Sequence, residues 1–434
     1  MDIKVSIIIP VYNSEKFLKR CLDSCINQTL DEIEVIAVND ASPDRSDIIM
    51  REYEEKYPKK VQCIYLQENL RQGGARNVAI RHARGEFITF VDSDDWIRQE
   101  MCEELYTESL RTKADIVYCN MLEQTKNDSF LISNRFPNEA VGNVCENIVP
   151  ILFQPYVGPV AHIIKKEIIT DNGLFFPEGI FSEDTAITKI WDLYADKIAK
   201  IEGAYYTYCL NKESTSREQW TGYRRDEYAS IKLLYDNLIR CPKAGNQKME
   251  VRLICMKYAL NFIQTIRARC NGRFETEIEE DFRSCIHYVC GELTENESWK
   301  YWFTPKEKEF LMTKIDFGYF DSNEAIIEDY RQYYERLMKE IDDIAAWFAK
   351  KGINRIGIWG KTNYGYGLNK VFPAMKIVDN LSRVEAEHIQ AVICLRMNHI
   401  PNVRNQLREK NVEIFNLQSY LTVGGGMKAY CYDN

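Results

Sequence analysis

Three absences bound what this chain can be. It has no apolar run near the ~20 residues needed to cross a bilayer. The longest, Val5 to Tyr12, is interrupted by Ser6 and Pro10 and runs into Asn13, Ser14 and Glu15 with no small-residue cleavage site, so neither a spanning helix nor a secretion signal is expected. No block of Lys and Arg stands out, and the net charge is −9. Binding of nucleic acid, which needs clustered cations to meet phosphates, is therefore excluded. None of the fourteen cysteines forms a C-x-x-C pair, and they are scattered through periodic apolar segments. They read as reduced core thiols of a cytoplasmic protein. No internal repeat is evident.

What is present is globular: 434 residues, 45% hydrophobic and 28% charged, enough for about three domains. Val5 to Ile9 is a continuous apolar strand ended by Pro10. Phe17, Leu18, Cys21, Leu22, Cys25 and Ile26 then recur at helical spacing, with Asn13 or Ser14 as the cap. A strand at Val35 to Val38, a helix through Tyr57, a strand at Val61 to Leu66 and a helix starting near Gly74 follow. The run Phe87 to Asp92 completes the set. Four β-α alternations with near-continuous apolar strands predict a parallel sheet covered on both faces.

The fourth of these strands breaks into acids, Asp92, Asp94 and Asp95. They belong at the C-terminal end of the sheet, where open α/β sheets place ligands. Three carboxylates within four residues repel one another unless a cation or hydrogen-bond donors compensate. Oxygen-only ligation suits Mg²⁺ or Mn²⁺, which take the rest of their shell from water and phosphate. A solvated acidic turn is the plainer alternative. Three loops open on the same edge: Pro10 to Asn13, Asn39 to Ser46, and Asn69 to Asn77. The last pairs Gly73 and Gly74 at a helix N-terminus with Arg71 and Arg76, a combination that favours a phosphate. Glycine for a tight turn and arginine for a surface ion pair is the structural alternative.

Taken together, VSIIIPVYN (5–13), VNDASPD (38–44), RQGGARN (71–77) and VDSDDW (91–96) resemble the family-2 glycosyltransferases with the GT-A fold, over roughly the first half of the chain. That resemblance implies an inverting, nucleotide-sugar-dependent enzyme of the hexosyltransferase type, built on a Rossmann-like parallel-core sheet. It implies that Pro10, Val11, Tyr12 and Asn13 line the nucleoside pocket and that Asp40 reads the base, typically uracil. Arg71, Arg76 and Ser93 lie by the donor, Asp92 meets the ribose or sugar, and Asp94 with Asp92 holds the divalent metal on the diphosphate. Ala41 stands where many relatives have Gly.

A second pair of acids, Glu183 and Asp184, begins a helix that Ser182 can cap, with Ile187, Ile190, Trp191 and Tyr194 as its buried stripe. Acids in a first helical turn also complement the dipole, which explains them without chemistry. The family pattern continues here, through F-x-E-D and then YYTYCLNKESTS (205–216), the acceptor half of such enzymes. It implies Asp184 as general base, with Glu183 as the other candidate. Relatives often carry an aromatic and a Lys where this chain has Val160, Ala161 and His162. Acceptor identity therefore cannot be borrowed, and His162 reads as a satisfied polar contact in preference to a second base.

The expected organisation is a GT-A domain over 1–218, with a nucleotide-binding half 1–100 and an acceptor half 101–218, then a helical region 219–350. A small Rossmann-like domain over 351–423 and a tail over 424–434 follow. In the helical region one stripe runs through Tyr228, Ile231, Leu234, Tyr235 and Leu238, a second through Leu253, Met256, Leu260 and Ile263, and a third helix spans Ile326 to Phe348. Near the C-terminus four strands are expected around 355–359, 376–379, 389–395 and 412–415. Thr362 replaces the second glycine of a dinucleotide fingerprint starting at Gly360, so a structural or assembly role, such as a homo-oligomer, is preferred to a cofactor site despite Asp379.

The function expected is transfer of a sugar from a UDP-sugar to a hydroxyl of a cell-surface glycan or lipid-linked acceptor, in cell-envelope polysaccharide biosynthesis. Without a spanning helix the protein would reach a lipid-linked acceptor from the cytoplasm, peripherally at the inner face of the membrane. Two alternatives stand beside it: a non-catalytic carbohydrate-binding or scaffold protein of the same fold, and a sugar nucleotidyltransferase. The latter needs a glycine-rich loop after the first strand, and Pro10 to Asn13 has none.

Overall fold

The computed structural model describes residues 2–124, 129–132, 141–153, 158–210, 226–244, 247–269 and 276–290, and four strands beyond them. The chain forms two compact units, residues 1–299 and 300–434. In the first, β1 (Val5–Val11), α1 (Leu18–Ile26), β2 (Ile33–Asn39), α2 (Ser46–Lys56), β3 (Val61–Tyr65), α3 (Arg71–His82) and β4 (Phe87–Phe90) alternate as expected. There follow β5 (Trp96–Ile97), α4 (Met101–Thr112), β6 (Ile116–Gln124), β7 (Ser129–Ile132), β8 (Gly142–Asn143), α5 (Ile148–Phe153), β9 (His162–Lys165) and α6 (Lys166–Thr170). The unit continues through α7 (Glu183–Tyr194), β10 (Lys197–Cys209), α8 (Asp226–Arg240), α9 (Lys248–Arg269) and α10 (Thr276–Cys290).

The main sheet runs β3-β2-β1-β4-β9-β6-β10-β5, with β7 on β6 and β8 on β10. Strands β3, β2, β1 and β4 are mutually parallel. β9 joins β4 and β6 antiparallel, and β10 lies parallel to β6. Every residue of β1 and β2 is buried, so the continuous apolar character of these strands reflects cover on both faces.

Strand β1 does not stop at Pro10 but continues to Val11, paired with Asn39. The ladder explains why proline is tolerated. In a parallel strand alternate residues face alternate neighbours, and Ile8 accepts from Val91 N on the β4 side. Pro10 faces that side too, where the β1–β4 register has ended at Ile8 opposite Phe90, so its missing N–H breaks no strand bond.

Two expected helix caps are corrected. Ser14 closes the entry to α1 with its carbonyl, which accepts from Phe17 N and Leu18 N at 2.9 Å each; its hydroxyl is instead shared with Ser93 Oγ at 2.6 Å. Ser182 makes no side-chain cap on α7 and sits in the left-handed region at φ 57°. The glycine pair is corrected as well. Helix α3 begins at Arg71, three residues before Gly74, so both glycines lie buried within it. A Cβ on Gly73 would stand 2.7 Å from the Pro177 carbonyl oxygen and 3.0 Å from Glu183 Cγ. Gly73, in the first turn of α3, therefore lets the helix pass close to the segment entering α7.

Helix α7 is held to the end of β4 by aromatic contact. Trp191 stacks on Phe90 with ring centroids 5.9 Å apart, and Phe176 meets both rings edge-on. The Trp191 indole N–H donates to Leu174 O at 2.8 Å. Since Phe90 lies two residues before Asp92, this cluster sets where the start of α7 stands relative to the acid turn. Helix α8 packs on α7 and α9 on α8, all within the first unit. The expected stripes of α7, α8 and α9 are buried, apart from half-buried Tyr194 and Tyr235.

The second unit contains β11 (Ile356–Trp359), β12 (Lys376–Val378), β13 (Ala391–Cys394) and β14 (Glu413–Asn416), all parallel in the order β12-β11-β13-β14. These four strands lie where the sequence predicts them. The helix expected at 326–348, the tail, and Gly360, Thr362 and Asp379 lie outside the described residues. No described helix is long and apolar enough to cross a membrane.

Candidate active site

The acid turn after β4 is built by alternation. Val91, Ser93 and Asp95 are buried while Asp92 and Asp94 are half-exposed. Asp95 N donates to Asp92 O and closes the turn. The Asp95 carboxylate points inward, accepting from Tyr206 Oη at 2.6 Å and Cys209 N at 2.8 Å, so it anchors β10 and does not open on the site. Burial, then the nearby charges of Asp92 and Asp94, hold its carboxyl well above the usual range. Arg20 donates to the Asp94 carbonyl at 2.9 Å and to Cys209 Sγ at 3.0 Å, fixing the turn from α1.

Arg76 is the pivot. Its side chain is 2% exposed, and it donates to Asp92 Oδ1 at 2.8 Å and to Glu183 Oε1 at 2.5 Å. One guanidinium, 107 residues before Glu183 in sequence, thus joins the acid turn of β4 to the first residue of α7. Its Nε is buried and has no partner among the described residues. Glu183 is buried and taken up by this pair, whereas its neighbour Asp184 is half-buried.

Burial and then the Glu183 charge raise the Asp184 carboxyl from 3.8 to about 7, against the opposing pull of Arg76 and the Thr185 N–H. A carboxylate that titrates near neutrality fits proton transfer at neutral pH. His162, by contrast, is buried against the Tyr118 ring, donates from Nδ1 to Val160 O at 3.0 Å, and has its pKa pushed down to about 4 by burial. It is a neutral structural histidine.

The three loops at the sheet edge are laced to one another. Asn13 N donates to Ser42 Oγ, Ser14 N to Ser46 Oγ and Glu15 N to Asp44 Oδ2. Asp40 is 2% exposed and accepts from Leu70 N at 2.7 Å, tying the second loop to the N-terminus of α3. Burial raises its carboxyl, and the Leu70 and Arg71 N–H groups pull it back. Tyr12 stands half exposed beside them. Of the six non-glycine residues with positive φ among the described residues, Asn13, Ala41, Arg71 and Ser182 belong to these loops or to the entry of α7. Such conformations cost about 1–3 kcal/mol each and cluster at functional sites.

Sequence reasoning missed Arg20, Ser42, Asp44 and Tyr206, which shape the site. Only the Ser and Asp of the second loop carried a local turn signal. Among the described residues no group of three His, Cys, Asp or Glu side chains forms a ready metal cage.

A parallel half-sheet ending in a carboxylate turn, joined through Arg76 to the acid pair that opens α7, is the arrangement expected of a GT-A fold. The comparisons agree. The model of Glycosyl transferase family 2 matches residues 6–156. The glycosyltransferase GlyA of Streptococcus pneumoniae is 31% identical over 334 residues, 74% of this chain and 45% of its own. The putative glycosyltransferase EpsH of Bacillus subtilis is 30% identical over 256 residues, 57% of this chain and 72% of its own. The crystal structure of Staphylococcus aureus TarS 1–349 with UDP-GlcNAc superposes with a TM-score of 0.57 at 23% identity, covering 76% of this chain and 92% of that one, and shares the fold. The chain belongs to glycosyltransferase family 2. It spans less than half the length of GlyA.

Proposed function

We propose that the protein transfers a sugar from a UDP-sugar to a hydroxyl of a cell-surface or cell-wall glycan, free or lipid-linked, with inversion at the anomeric carbon and Asp184 as general base. The observation that carries this reading is the Asp92–Arg76–Glu183 bridge, which supports a single reaction site between the acid turn and Asp184. The UDP-GlcNAc bound in the TarS complex supports a UDP-sugar donor, and the activity named for TarS, a poly(ribitol-phosphate) β-N-acetylglucosaminyltransferase, supports a cell-wall acceptor.

In this reading Pro10 to Asn13 and Asp40 receive the nucleoside, with Tyr12 offering an exposed ring to the base. Arg71, Arg76 and Ser93 lie along the donor, the buried Nε of Arg76 being a donor with no protein partner among the described residues. The acceptor hydroxyl oxygen bonds to the anomeric carbon as its proton passes to Asp184, and the bond from that carbon to the diphosphate oxygen breaks, releasing UDP. Glu183 keeps Arg76 in place and leaves proton transfer to its neighbour.

The donor set fits a divalent cation. One Asp92 oxygen is engaged by Arg76, so the protein offers few carboxylate oxygens, and Mg²⁺ or Mn²⁺ binds in such a setting by drawing on diphosphate and water. Asp94 and Asp92 would hold it, and when bound it offsets the charge developing on the leaving diphosphate. The test is UDP release from a panel of nucleotide sugars with Mn²⁺ present. Slow hydrolysis of one UDP-sugar, abolished by Asp184→Asn, is expected; hydrolysis unaffected by that substitution overturns the assignment of the base.

A further inference from the structure

Helix α8 lies beyond the residues matched by the family model, yet its first residue reaches into the site from the side. Asp226 Oδ2 accepts from Arg71 Nη1 at 2.6 Å and from the backbone N–H of Phe181 at 3.0 Å. The Phe181 carbonyl accepts from Ser230 Oγ, one turn further along α8, at 3.0 Å. Both backbone polar groups of Phe181 are thus fixed by one helix. The Arg71 guanidinium lies 4.2 Å from the centre of the Phe181 ring. Two of these residues border left-handed backbone: Arg71 itself is at φ 62°, and Ser182, next after Phe181, is at φ 57°. Glu183 and Asp184 follow at once.

We propose that Asp226 is a positioning residue for the transfer reaction. A single carboxylate oxygen orients Arg71 toward the donor and sets the turn from which Asp184 projects. The proposal rests on the reading of Asp184 as base. Its logic is geometric: the side chain of Arg71 and the peptide of Phe181 lie on elements about 110 residues apart, and no strand or helix backbone bond joins them. An ion pair half open to water contributes little stability of its own. Orientation is what this contact supplies, and a displacement of about 1 Å at a reacting group is enough to cost 10²-fold in rate.

The two arms separate in kinetics. Asp226→Asn keeps an oxygen for the Phe181 N–H and loses the negative charge that pairs with Arg71; Asp226→Ala loses both. Hydrolysis of the UDP-sugar that the wild-type protein turns over is measured for each, per folded protein by circular dichroism. Asp226→Asn is expected to raise the donor KM about fivefold or more with kcat within threefold. Asp226→Ala is expected to raise KM equally and lower kcat at least tenfold. Arg71→Gln should reproduce the Asn effect, and the Arg71→Gln/Asp226→Asn double variant should be no worse than either alone. Constants within twofold of wild type in Asp226→Ala, equal kcat losses in the Asn and Ala variants, or additive Arg71 and Asp226 effects on KM overturn the proposal. Asp184→Asn measured alongside separates the two readings. If it is inactive while the Asp226 variants behave as wild type, only the positioning role fails; if it stays active, the base assignment fails, and with it the kcat arm.

Discussion

Replacing Asp184 by Asn removes a proton acceptor and, above neutral pH, a half-buried negative charge beside Glu183, and the two losses act in opposite directions. The carboxyl titrates at about 7 in the fold against 3.8 ordinarily. Between those values the folded protein holds a proton that the unfolded chain has released, so stability falls as pH rises from about 4 and levels off above about 7. A shift of this size has an upper bound of about 4 kcal/mol at about 1.4 kcal/mol per unit. Water access and the coupling to Glu183 and Arg76 reduce it to about 1–2 kcal/mol. Asp184→Asn should therefore melt about 2–3 °C higher than wild type at pH 8 and match it at pH 4, while transfer falls by 10² or more. Differential scanning fluorimetry across pH, paired with UDP-release kinetics, reads both. In the wild type, kcat/KM should rise with an apparent pKa near 7. A variant less stable than wild type at pH 8, or a wild-type rate flat between pH 5 and 8, would refute the reasoning.

Glu183→Gln should retain far more turnover than Asp184→Asn; if its loss is as large, the roles of the two acids are reversed. Arg76→Met leaves Asp92 and Glu183 facing each other without their shared cation and should cost about 3–5 kcal/mol in chemical denaturation. A cost under about 1 kcal/mol would contradict the pivot role. Ala41→Gly relieves a left-handed alanine at φ 53° and should stabilise by about 1 kcal/mol, read as a small rise in melting temperature, with no rise if the strain is absent. Asp94→Ala should weaken donor binding at least tenfold with Mn²⁺ and leave it equal to wild type in EDTA; an equal loss in both conditions would remove Asp94 from the metal.

How much could be read from the sequence depended on how local its cause was. Strands β1 to β4 and the four strands of the second unit were legible because parallel strands covered on both faces need continuous apolar runs. Ile187, Ile190 and Trp191 of α7 were legible from helical periodicity, while Tyr194, expected with them, is only half-buried. The extension of β1 past Pro10 was not, because it depends on where β4 leaves the ladder. Ser14 and Ser182 looked like caps, but the first gives its hydroxyl to Ser93, 79 residues away, and the second makes no cap bond at all. Gly73 read as a turn glycine, and its close approach to the Pro177 carbonyl, 104 residues away, carries no local signal. Asp95 with Tyr206 and Arg71 with Asp226 pair over 111 and 155 residues, where periodicity carries no signal. The acid motifs were visible as residues; which oxygen faces outward is a property of the folded turn.

The most direct test of the central claim is a calorimetric titration of UDP into the wild-type protein with and without Mn²⁺. Affinity is expected to strengthen at least tenfold when Mn²⁺ is present, as a diphosphate held between the Asp92–Asp94 turn and the α3 arginines requires. Identical titrations in the two conditions, or no binding in either, would contradict it.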